Sequence, residues 1–353
     1  MDFQLSDDQR ALRSGMRDLL GAVFDRDRLR AAVERDGALD RSLWRELGAA
    51  GFFALRLPEE AGGVGLGLPE AVLLFEEAGR ALLPGPLVAT HLAAGLVKGA
   101  AEGEAVVTAV AGELPVAHLA EADAVLVVGA EPLTGEALRA FVAAARPVRS
   151  MDPLTPLHSA PADAERPPAV SVRTRADAER APAATERTPA HAGRFRFEAA
   201  LLTAAEQLGS AARTTEEAVQ HAGSREQFGS PVGAFQAVKH LCADMLARTE
   251  PARAAVYAAA VTGDPVEIAA AKLLADEAAV RNARDCLQIH GGMGFTWEAD
   301  VHLHLKRAWL RAASWLTGAG AEELLAADLG AAGRLPRSSA APARPVPEAG
   351  GGG

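Results

Sequence analysis

Apolar residues recur at helical spacing towards both ends of the chain. Ser6 and Gln9 form a capping-box pattern, and Leu12, Met16 and Leu19 follow on one face of the helix that this pattern opens. Further N-terminal helices are predicted near residues 40–51, 69–83 and 87–97. In the second half, long apolar stripes predict helices over residues 198–223, 234–261, 265–290 and 297–328. Four long antiparallel helices make a bundle.

The periodicity changes in the middle of the chain. Short β-branched runs at 105–111 and 124–129 predict strands, and 146–149 and 194–197 are candidates for two more. The predicted fold is therefore mainly α with a small β middle domain (α+β): an N-terminal helical domain, a reduced β-barrel-like middle and a C-terminal four-helix bundle.

Composition sets the predicted domain boundaries. Residues 159–193 are rich in Ala, Pro, Arg, Glu and Thr and hold almost no large apolar side chain, so we expect a flexible insert there. A Pro/Ala/Gly-rich end predicts a disordered tail. The expected domains are residues 1–104, 105–197 with the insert, 198–330, and the tail 331–353.

The charge and the apolar content exclude several classes of protein. Hydrophobic residues make up 49% of the chain, and the formal net charge is -10, which argues against nucleic acid or an anionic membrane as the main partner. No apolar run reaches spanning length, so no membrane insertion is expected, and the N terminus lacks signal-peptide features. Cys242 and Cys286 lie in helical patterns and indicate no disulfide framework. These features predict a cytoplasmic protein.

Two clusters between the C-terminal helices carry the candidate chemistry. The first spans Ser224–Pro231, and the second spans Gln288–Thr296 with three close glycines. A guanidinium pairs bidentately with phosphate, and glycine lets the backbone approach a ligand closely, so Arg225 and these glycines suggest a phosphate clamp. The alternatives are a solvated Arg225 and glycines that only cap a helix.

The two clusters together resemble the acyl-CoA dehydrogenase family. The pattern Arg-x-x-Phe-Gly begins at Arg225, and Gln-x-x-Gly-Gly-x-Gly-Phe begins at Gln288. The resemblance covers residues 1–150 and 194–330. It implies a flavoprotein with FAD that acts on an acyl-CoA: a Glu carboxylate removes the α-proton while the flavin N5 takes the β-hydride. An electron-accepting flavoprotein would be a further partner.

The resemblance also implies which residues bind the cofactor. In the family each flavin lies between two subunits, and these two motifs reach the adenosine-diphosphate half of the neighbour's FAD. Carried over by position, Arg225 pairs with the pyrophosphate and Phe228 packs on the cofactor. The cofactor-binding residues implied are Arg225, Gln227, Phe228, Phe235, Gln288, Gly291 and Gly292.

The chain departs from the family where the chemistry takes place. The Thr-Glu-Pro-x-Ala-Gly-Ser segment and the Trp-Ile loop that hold the flavin ring are both absent. The two family positions for the base hold Trp315 and Ala199, and neither side chain can accept a proton. No catalytic residue is therefore assigned. Glu198 becomes the base only if the register slips by one residue, which turns a helix face by about 100°.

Other titratable side chains near these motifs have structural interpretations. Glu206 is expected to face solvent or another helix. Glu298 and Asp300 suit the first turn of a helix, where carboxylates complement the dipole. His302 and His304 are two positions apart and do not share a helix face, so no metal site is predicted.

Three hypotheses follow. In the favoured one, the chain completes the cofactor site of a partner subunit in a heteromeric (α2β2) acyl-CoA dehydrogenase and lacks its own base. The run from Thr296 to Leu303 resembles such partner chains, some of which act on CoA thioesters of steroid side chains. The second hypothesis is a self-sufficient homo-oligomeric dehydrogenase that uses Glu198. The third is a non-catalytic helical binding or assembly protein.

Overall fold

The computed structural model describes residues 4–110, 115–160 and 189–331, with side chains from residue 193 in the last range. The helices are α1 (Asp7–Val23), α2 (Arg26–Glu34), α3 (Arg41–Ala49), α4 (Leu68–Arg80), α5 (Leu87–Ala93), α6 (Gly135–Ala144), α7 (Pro189–Ser224), α8 (Gln236–Thr262), α9 (Pro265–His290), α10 (Val301–Ala313) and α11 (Gly318–Ala331). The strands are β1 (Val107–Val110), β2 (Val116–Ala117), β3 (Ala124–Val127), β4 (Arg146–Val148), β5 (Leu157–Ser159), β6 (Glu226–Gln227) and β7 (Ser230–Pro231).

The N-terminal helices begin where the local signals predict. The Ser6 hydroxyl accepts a hydrogen bond from the Gln9 amide at 3.1 Å, and the Gln9 side chain accepts one from the Ser6 amide at 3.1 Å. This confirms the capping box. Helix α2 was not predicted, because its sequence is mostly charged and gives only a weak apolar stripe; Asp25 caps it.

The small β middle is confirmed, and its described strands, β1 to β5, form two sheets. β1 and β3 pair in parallel, while β5 lies between β2 and β4 in an antiparallel sheet. α6 was not predicted; its Leu138 and Phe141 pack in a small core with Val110 and Val125. The middle therefore contains a helix as well as strands.

The C-terminal bundle differs from the prediction at both of its ends. The strand predicted over 194–197 is wrong: these residues belong to α7. Arg194 and Glu198 pair one turn apart at 2.9 Å, a contact that only helical spacing allows, although the alternation of Arg and Phe imitates a strand. The single helix predicted over 297–328 is two helices in the structure, α10 and α11. Trp315 lies between them with a φ of +63°, which a continuous helix does not allow.

Parts of the predicted organisation fall outside the described residues. Most of the expected insert over 159–193 and nearly all of the expected tail over 331–353 lie there, and the domain boundaries stay predictions. Within the described ranges, no helix is both long enough and apolar enough to span a membrane.

Two glycines let α4 and α7 cross at backbone contact. A Cβ at Gly79 would collide with the carbonyl oxygen of Glu206, and a Cβ at Gly209 would collide with that of Glu76. Both helices are buried here, over residues 71–79 of α4 and 199–211 of α7, and their apolar side chains, such as Phe75, Ala78 and Leu208, belong to the main hydrophobic core. The crossing joins the N-terminal helices to the bundle.

We expect Gly209→Ala to destabilise the chain by about 3 kcal/mol or more, because the two helices must separate to admit the methyl group. Calorimetry would show a lower thermal unfolding midpoint.

The matched control is Gly15→Ala in α1, where an added Cβ meets no atom within 4 Å. That substitution should stabilise the chain by about 0.5–1 kcal/mol, since alanine loses less backbone entropy in a helix. Equal midpoints for the two variants would contradict the contact.

Candidate functional site

The first motif folds as a tight β-hairpin. Gln227 pairs with Ser230 across a two-residue loop of Phe228 and Gly229, whose φ angles are +53° and +78°. Positive φ at both loop positions is the signature of a type I′ turn. The amide of Val232 donates to the carbonyl of Arg225 at 2.7 Å and closes the base of the hairpin. The hairpin thus projects from the end of α7.

Phe228 has a backbone conformation with positive φ, and the few contacts of its side chain do not explain it. A bulky residue at positive φ is uncommon and costs energy. Its side chain is nevertheless 91% exposed, and its ring meets that of Phe235 edge to face at 6.1 Å. The hairpin therefore presents an aromatic ring outward, where a ligand or a second chain can contact it.

The second motif lies at the end of α9. Gln288 is exposed in the last turn of the helix, and a 3-10 turn over Gly291–Phe295 follows. Gly291 has a φ of +60°, and a Cβ added to Gly291 or Gly292 would meet nothing within 4 Å. The backbone is therefore open for close approach by a ligand.

A histidine pair brings the two motifs to the same end of the bundle. His221, four residues before Arg225, stacks on His290, next to Gly291, with ring centroids 4.0 Å apart. Partial burial, and then the charges of His290 and Arg225, lower the pKa of His221. A shared apolar cluster underneath includes Ala218, Ala222, Met245, Ala283, Cys286, Leu287 and Ile289.

All seven of the predicted cofactor residues reach the surface. Gly291 is half-buried and the other six are exposed. We call them the motif surface: Arg225, Gln227, Phe228, Phe235, Gln288, Gly291 and Gly292. Met293, Phe295 and Trp297 extend it, with 57%, 77% and 61% of their area exposed. Its outward guanidinium and open glycine backbone fit a diphosphate.

A separate cavity of about 360 Å³ lies between the middle region and the bundle. It is lined by α5, β1, α7, α10 and the turn that contains Trp315. Leu87, Val88 and Leu157 form part of its apolar wall. No residue of the motif surface lines it. The described chain thus has two distinct candidate sites.

Comparison with known proteins identifies the family. The acyl-CoA dehydrogenase N-terminal domain model matches residues 6–102, and the C-terminal domain model matches residues 193–333. The acyl-CoA dehydrogenase IpdE2 of Mycobacterium tuberculosis is 35% identical over 301 residues, which cover 79% of this chain and 84% of the relative. The chain belongs to the acyl-CoA dehydrogenase family. The resemblance seen in the sequence is confirmed, and with it membership of an oxidoreductase family.

Solved structures agree with the fold. PigA with FAD and proline superposes with a TM-score of 0.77 at 19% identity, covering 94% of this chain and 99% of that one. A variant of the Tcur3481-Tcur3483 steroid ACAD gives 0.71 at 21% identity, covering 93% and 99%. At such identities the likeness establishes the fold alone, and it confirms the mainly helical class with a small β middle.

Trp315 and Ala199, which the resemblance assigns to the family's two base positions, carry no proton acceptor. Trp315 lines the cavity, and its ring meets that of Phe195 edge to face at 5.8 Å. Ala199 is fully buried in the main core. Glu206 is the one carboxylate among the described residues that line the cavity.

Glu206 is paired with an arginine of α10. Arg311 donates a hydrogen bond to the Glu206 carboxylate at 2.6 Å. Of the two expected orientations, solvent or another helix, Glu206 therefore adopts the second. Burial raises the pKa of Glu206 against the opposing charges of Arg311 and Arg307. Burial also lowers the pKa of Arg311 to about 10. Arg307 pairs with the buried Asp152 at 2.6 Å.

Glu198 is held by two arginines. Arg56 donates to one carboxylate oxygen at 2.8 Å and Arg194 to the other at 2.9 Å. Burial opposes ionisation, but the hydrogen bonds and charges of the two arginines outweigh it and lower the pKa of Glu198. Glu198 is not among the residues that line the cavity. A carboxylate stabilised in this way is a weak proton acceptor.

The remaining polar candidates have structural partners. Asp300 stands at the N-cap of α10, where the sequence places it, and its carboxylate pairs with Arg26 at 2.6 Å. His304 is buried and bonds Ser210 at 2.7 Å, whereas the ring of His302 meets Trp297. The two histidines therefore face different neighbours.

Sequence reasoning missed the buried arginines of the cavity. Arg307 and Arg311 are one turn apart in a helix that is otherwise largely apolar, with Leu303 and Leu305 also buried. The available signal in the sequence was that these two arginines occupy positions on the apolar face of the helix. Of the two cysteines, Cys286 is buried and Cys242 is half-buried.

We expect Glu198→Gln to cost about 1–2 kcal/mol of unfolding free energy near neutral pH, because two charge-assisted hydrogen bonds weaken. The lowered pKa means that the carboxylate contributes fully above the ordinary glutamate pKa. The contribution is lost as pH falls through the folded-state pKa, so variant and wild type should converge in acid.

The measurement is urea unfolding of wild type and variant at a series of pH values, from near pH 7 down to the lowest pH at which the chain is still folded. It gives the difference between their unfolding free energies at each pH. Glu323→Gln, exposed on α11, is the control and should change the free energy little at any pH. A cost for Glu198→Gln that persists unchanged in acid would contradict the ion-pair account.

Proposed function

We propose that this chain is a subunit of an acyl-CoA dehydrogenase, in which it completes the FAD site of a partner subunit for α,β-dehydrogenation of an acyl-CoA thioester. It does not supply the catalytic base. The observation that carries the proposal is the separation of two features. The residues suited to a diphosphate are exposed on the motif surface, while the positions that the resemblance assigns to the base are Trp315, which lines the cavity, and the buried Ala199.

The motif surface suits the adenosine-diphosphate half of FAD. The guanidinium of Arg225 is free to form a bidentate pair with a phosphate, and the open backbone at Gly291 and Gly292 admits close contact. Phe228 offers an exposed aromatic face for packing. FAD, which is present in a solved structure of PigA, would accept the hydride in such a reaction.

An exposed site of this kind needs a second chain to enclose it. Contiguous exposed aromatic and apolar side chains mark interaction surfaces, and Phe228, Phe295 and Trp297 are each more than half exposed. The partner would supply the carboxylate and the contacts to the flavin ring. The Tcur3481-Tcur3483 steroid ACAD has two components in its name, and it directs the substrate proposal towards steroid-derived acyl-CoA thioesters.

Two alternatives lead to different experimental results. A self-sufficient homo-oligomer with Glu198 as base requires that carboxylate to leave Arg56 and Arg194. A non-catalytic helical binding or assembly protein would bind no flavin in any combination of chains. In the proposed enzyme, an electron-accepting flavoprotein would reoxidise the cofactor.

We expect Arg225→Ala to weaken flavin retention by a co-purified heteromer about tenfold or more. Losing a charge-assisted bond to phosphate costs about 1.5–3 kcal/mol, and 1.4 kcal/mol is a tenfold change in affinity. The measurement is the flavin absorbance per complex after dialysis, with a family member that carries the glutamate and the flavin-ring segment co-expressed as the partner.

Arg139→Ala is the matched control, because Arg139 is an exposed arginine of α6, on a different helix from both motifs. It should leave the flavin content unchanged. Thermal unfolding of the isolated chain should be nearly unaffected by Arg225→Ala, since Arg225 is exposed. Full flavin retention by Arg225→Ala would contradict the proposed role.

A further inference from the structure

A smaller cavity of about 270 Å³ lies where the N-terminal helices meet the bundle, lined by residues of α1, α2, α4, α7 and α10. It shares no residue with the motif surface or with the cavity beside Trp315. Its lining is strongly charged, with four arginines and four carboxylates: Arg17, Arg26, Arg80, Arg213, Asp25, Glu77, Glu217 and Asp300. The cavity therefore offers both hydrogen-bond donors and acceptors to a small polar ligand.

The carboxylates engage three of these arginines on one side only. Arg17 donates from Nε and Nη2 to Glu77 at 2.8 and 2.6 Å, and no described residue bonds its Nη1. Arg213 pairs through Nε with Glu217 at 2.8 Å, and its two terminal nitrogens meet no described acceptor. The Nε of Arg80 is 4.0 Å from the Glu77 carboxylate, too far for a hydrogen bond. These remaining donors are available to an anion.

A buried histidine supplies a further donor. His304 lines the cavity with 3% of its area exposed, and its Nδ1 lies 2.7 Å from the Ser210 hydroxyl. When that hydroxyl donates to Nδ1, Nε2 carries the proton, and no described residue accepts it. Burial, and then the charges of four arginines with Arg213 foremost, lower the pKa of His304 to about 3. The ring is therefore neutral in a positive potential, which favours an anion beside it.

Glu217 determines which anion fits. Its side chain is 17% exposed, and burial raises its pKa against the charge of Arg213. A sulfate ion has no proton to share, so it meets this carboxylate as a like charge. Hydrogen phosphate has an O–H group that can share its proton with the carboxylate while its other oxygens accept hydrogen bonds. A site that uses the O–H of its ligand strongly rejects an analogue that lacks it.

We propose that this cavity binds one hydrogen phosphate group, which accepts hydrogen bonds from Arg17, Arg213 and His304 and shares a proton with Glu217. The group bridges α1 of the N-terminal helices and α7 and α10 of the bundle, so binding should also raise the thermal unfolding midpoint. The site is separate from the motif surface and goes beyond the proposed function. Free phosphate and a small phosphate monoester present the same group and are separated below.

The first experiment is isothermal titration of the purified full chain with sodium phosphate and with sodium sulfate, in a phosphate-free buffer held at constant ionic strength with chloride. The two anions are both tetrahedral, and they differ in the proton. We expect phosphate to bind once per chain and at least about tenfold more tightly than sulfate, because only phosphate can donate to Glu217. Equal affinities, or no binding of phosphate, would overturn the proposal.

Two variants test the location. Arg213→Gln should weaken phosphate binding about tenfold or more, since a charge-assisted donor is lost. Glu217→Gln removes the carboxylate, so sulfate should bind about as tightly as phosphate. A purely structural ion pair would change neither affinity nor selectivity, and that result for both variants would refute the assignment. The matched control is Arg281→Gln, which breaks an exposed pair with Glu277 at the same helical spacing and should leave phosphate affinity unchanged.

Two further comparisons complete the test. Arg225→Ala should bind phosphate like wild type. Loss of binding in that variant, with binding retained in Arg213→Gln, would place phosphate on the motif surface and overturn the proposal. Glycerol 3-phosphate binding at least as tightly as phosphate would assign the site to a monoester, and weaker binding would assign it to the free ion. Circular dichroism checks the fold of each variant, and the selectivity of the wild type needs no variant.

Discussion

The backbone contact between α4 and α7 fixes the geometry on which both candidate sites depend. Gly79 lies against the carbonyl of Glu206, and Gly209 lies against that of Glu76. The side chain of Glu206 reaches α10 in the cavity, while that of Glu76 accepts a hydrogen bond from Tyr257 of α8 at 2.6 Å. One crossing thus aligns four helices, and without small residues at it α7 could not approach this closely.

Helix α7 links the two sites. Its middle turns carry Thr203 and Glu206 into the cavity, and its last turn carries His221 to the stack that joins the two motifs. Between them the helix is held by Asn282, whose amide donates to Thr215 at 3.1 Å and to the carbonyl of Met245 at 3.0 Å. The motif surface is consequently held by a rigid element although it is exposed. Such preorganisation lowers the cost of binding a ligand or a chain there.

The features that could be predicted from the sequence are those that depend on residues close together in the chain. The capping box at Ser6 and the motifs at Arg225 and Gln288 could be read directly, because each depends on residues a few positions apart. The ion pair between Arg307 and Asp152 joins residues 155 positions apart, so nothing in the local sequence reveals it. The failed strand at 194–197 has a different origin: the alternation of Arg and Phe imitates a strand, although Arg194 and Glu198 contact each other one helical turn apart.

The exposure of the motif residues was also beyond sequence reasoning. Resemblance alone gave Arg225 and Phe228 a role between subunits, whereas the structure supplies the positive φ and the solvent-facing ring that support it. The resemblance assigned Trp315 and Ala199 to the family's base positions, and the absence of a base stays a prediction. That Glu198 has both oxygens bound to arginines required the tertiary structure.

The central claim is that this chain provides one half of a shared flavin site. The most direct measurement is the visible absorption spectrum of the chain purified alone and of the chain co-expressed with a family member that carries the glutamate and the flavin-ring segment. The account predicts no flavin in the first preparation and bound flavin in the second. A flavin spectrum near one per chain in the first preparation would contradict it.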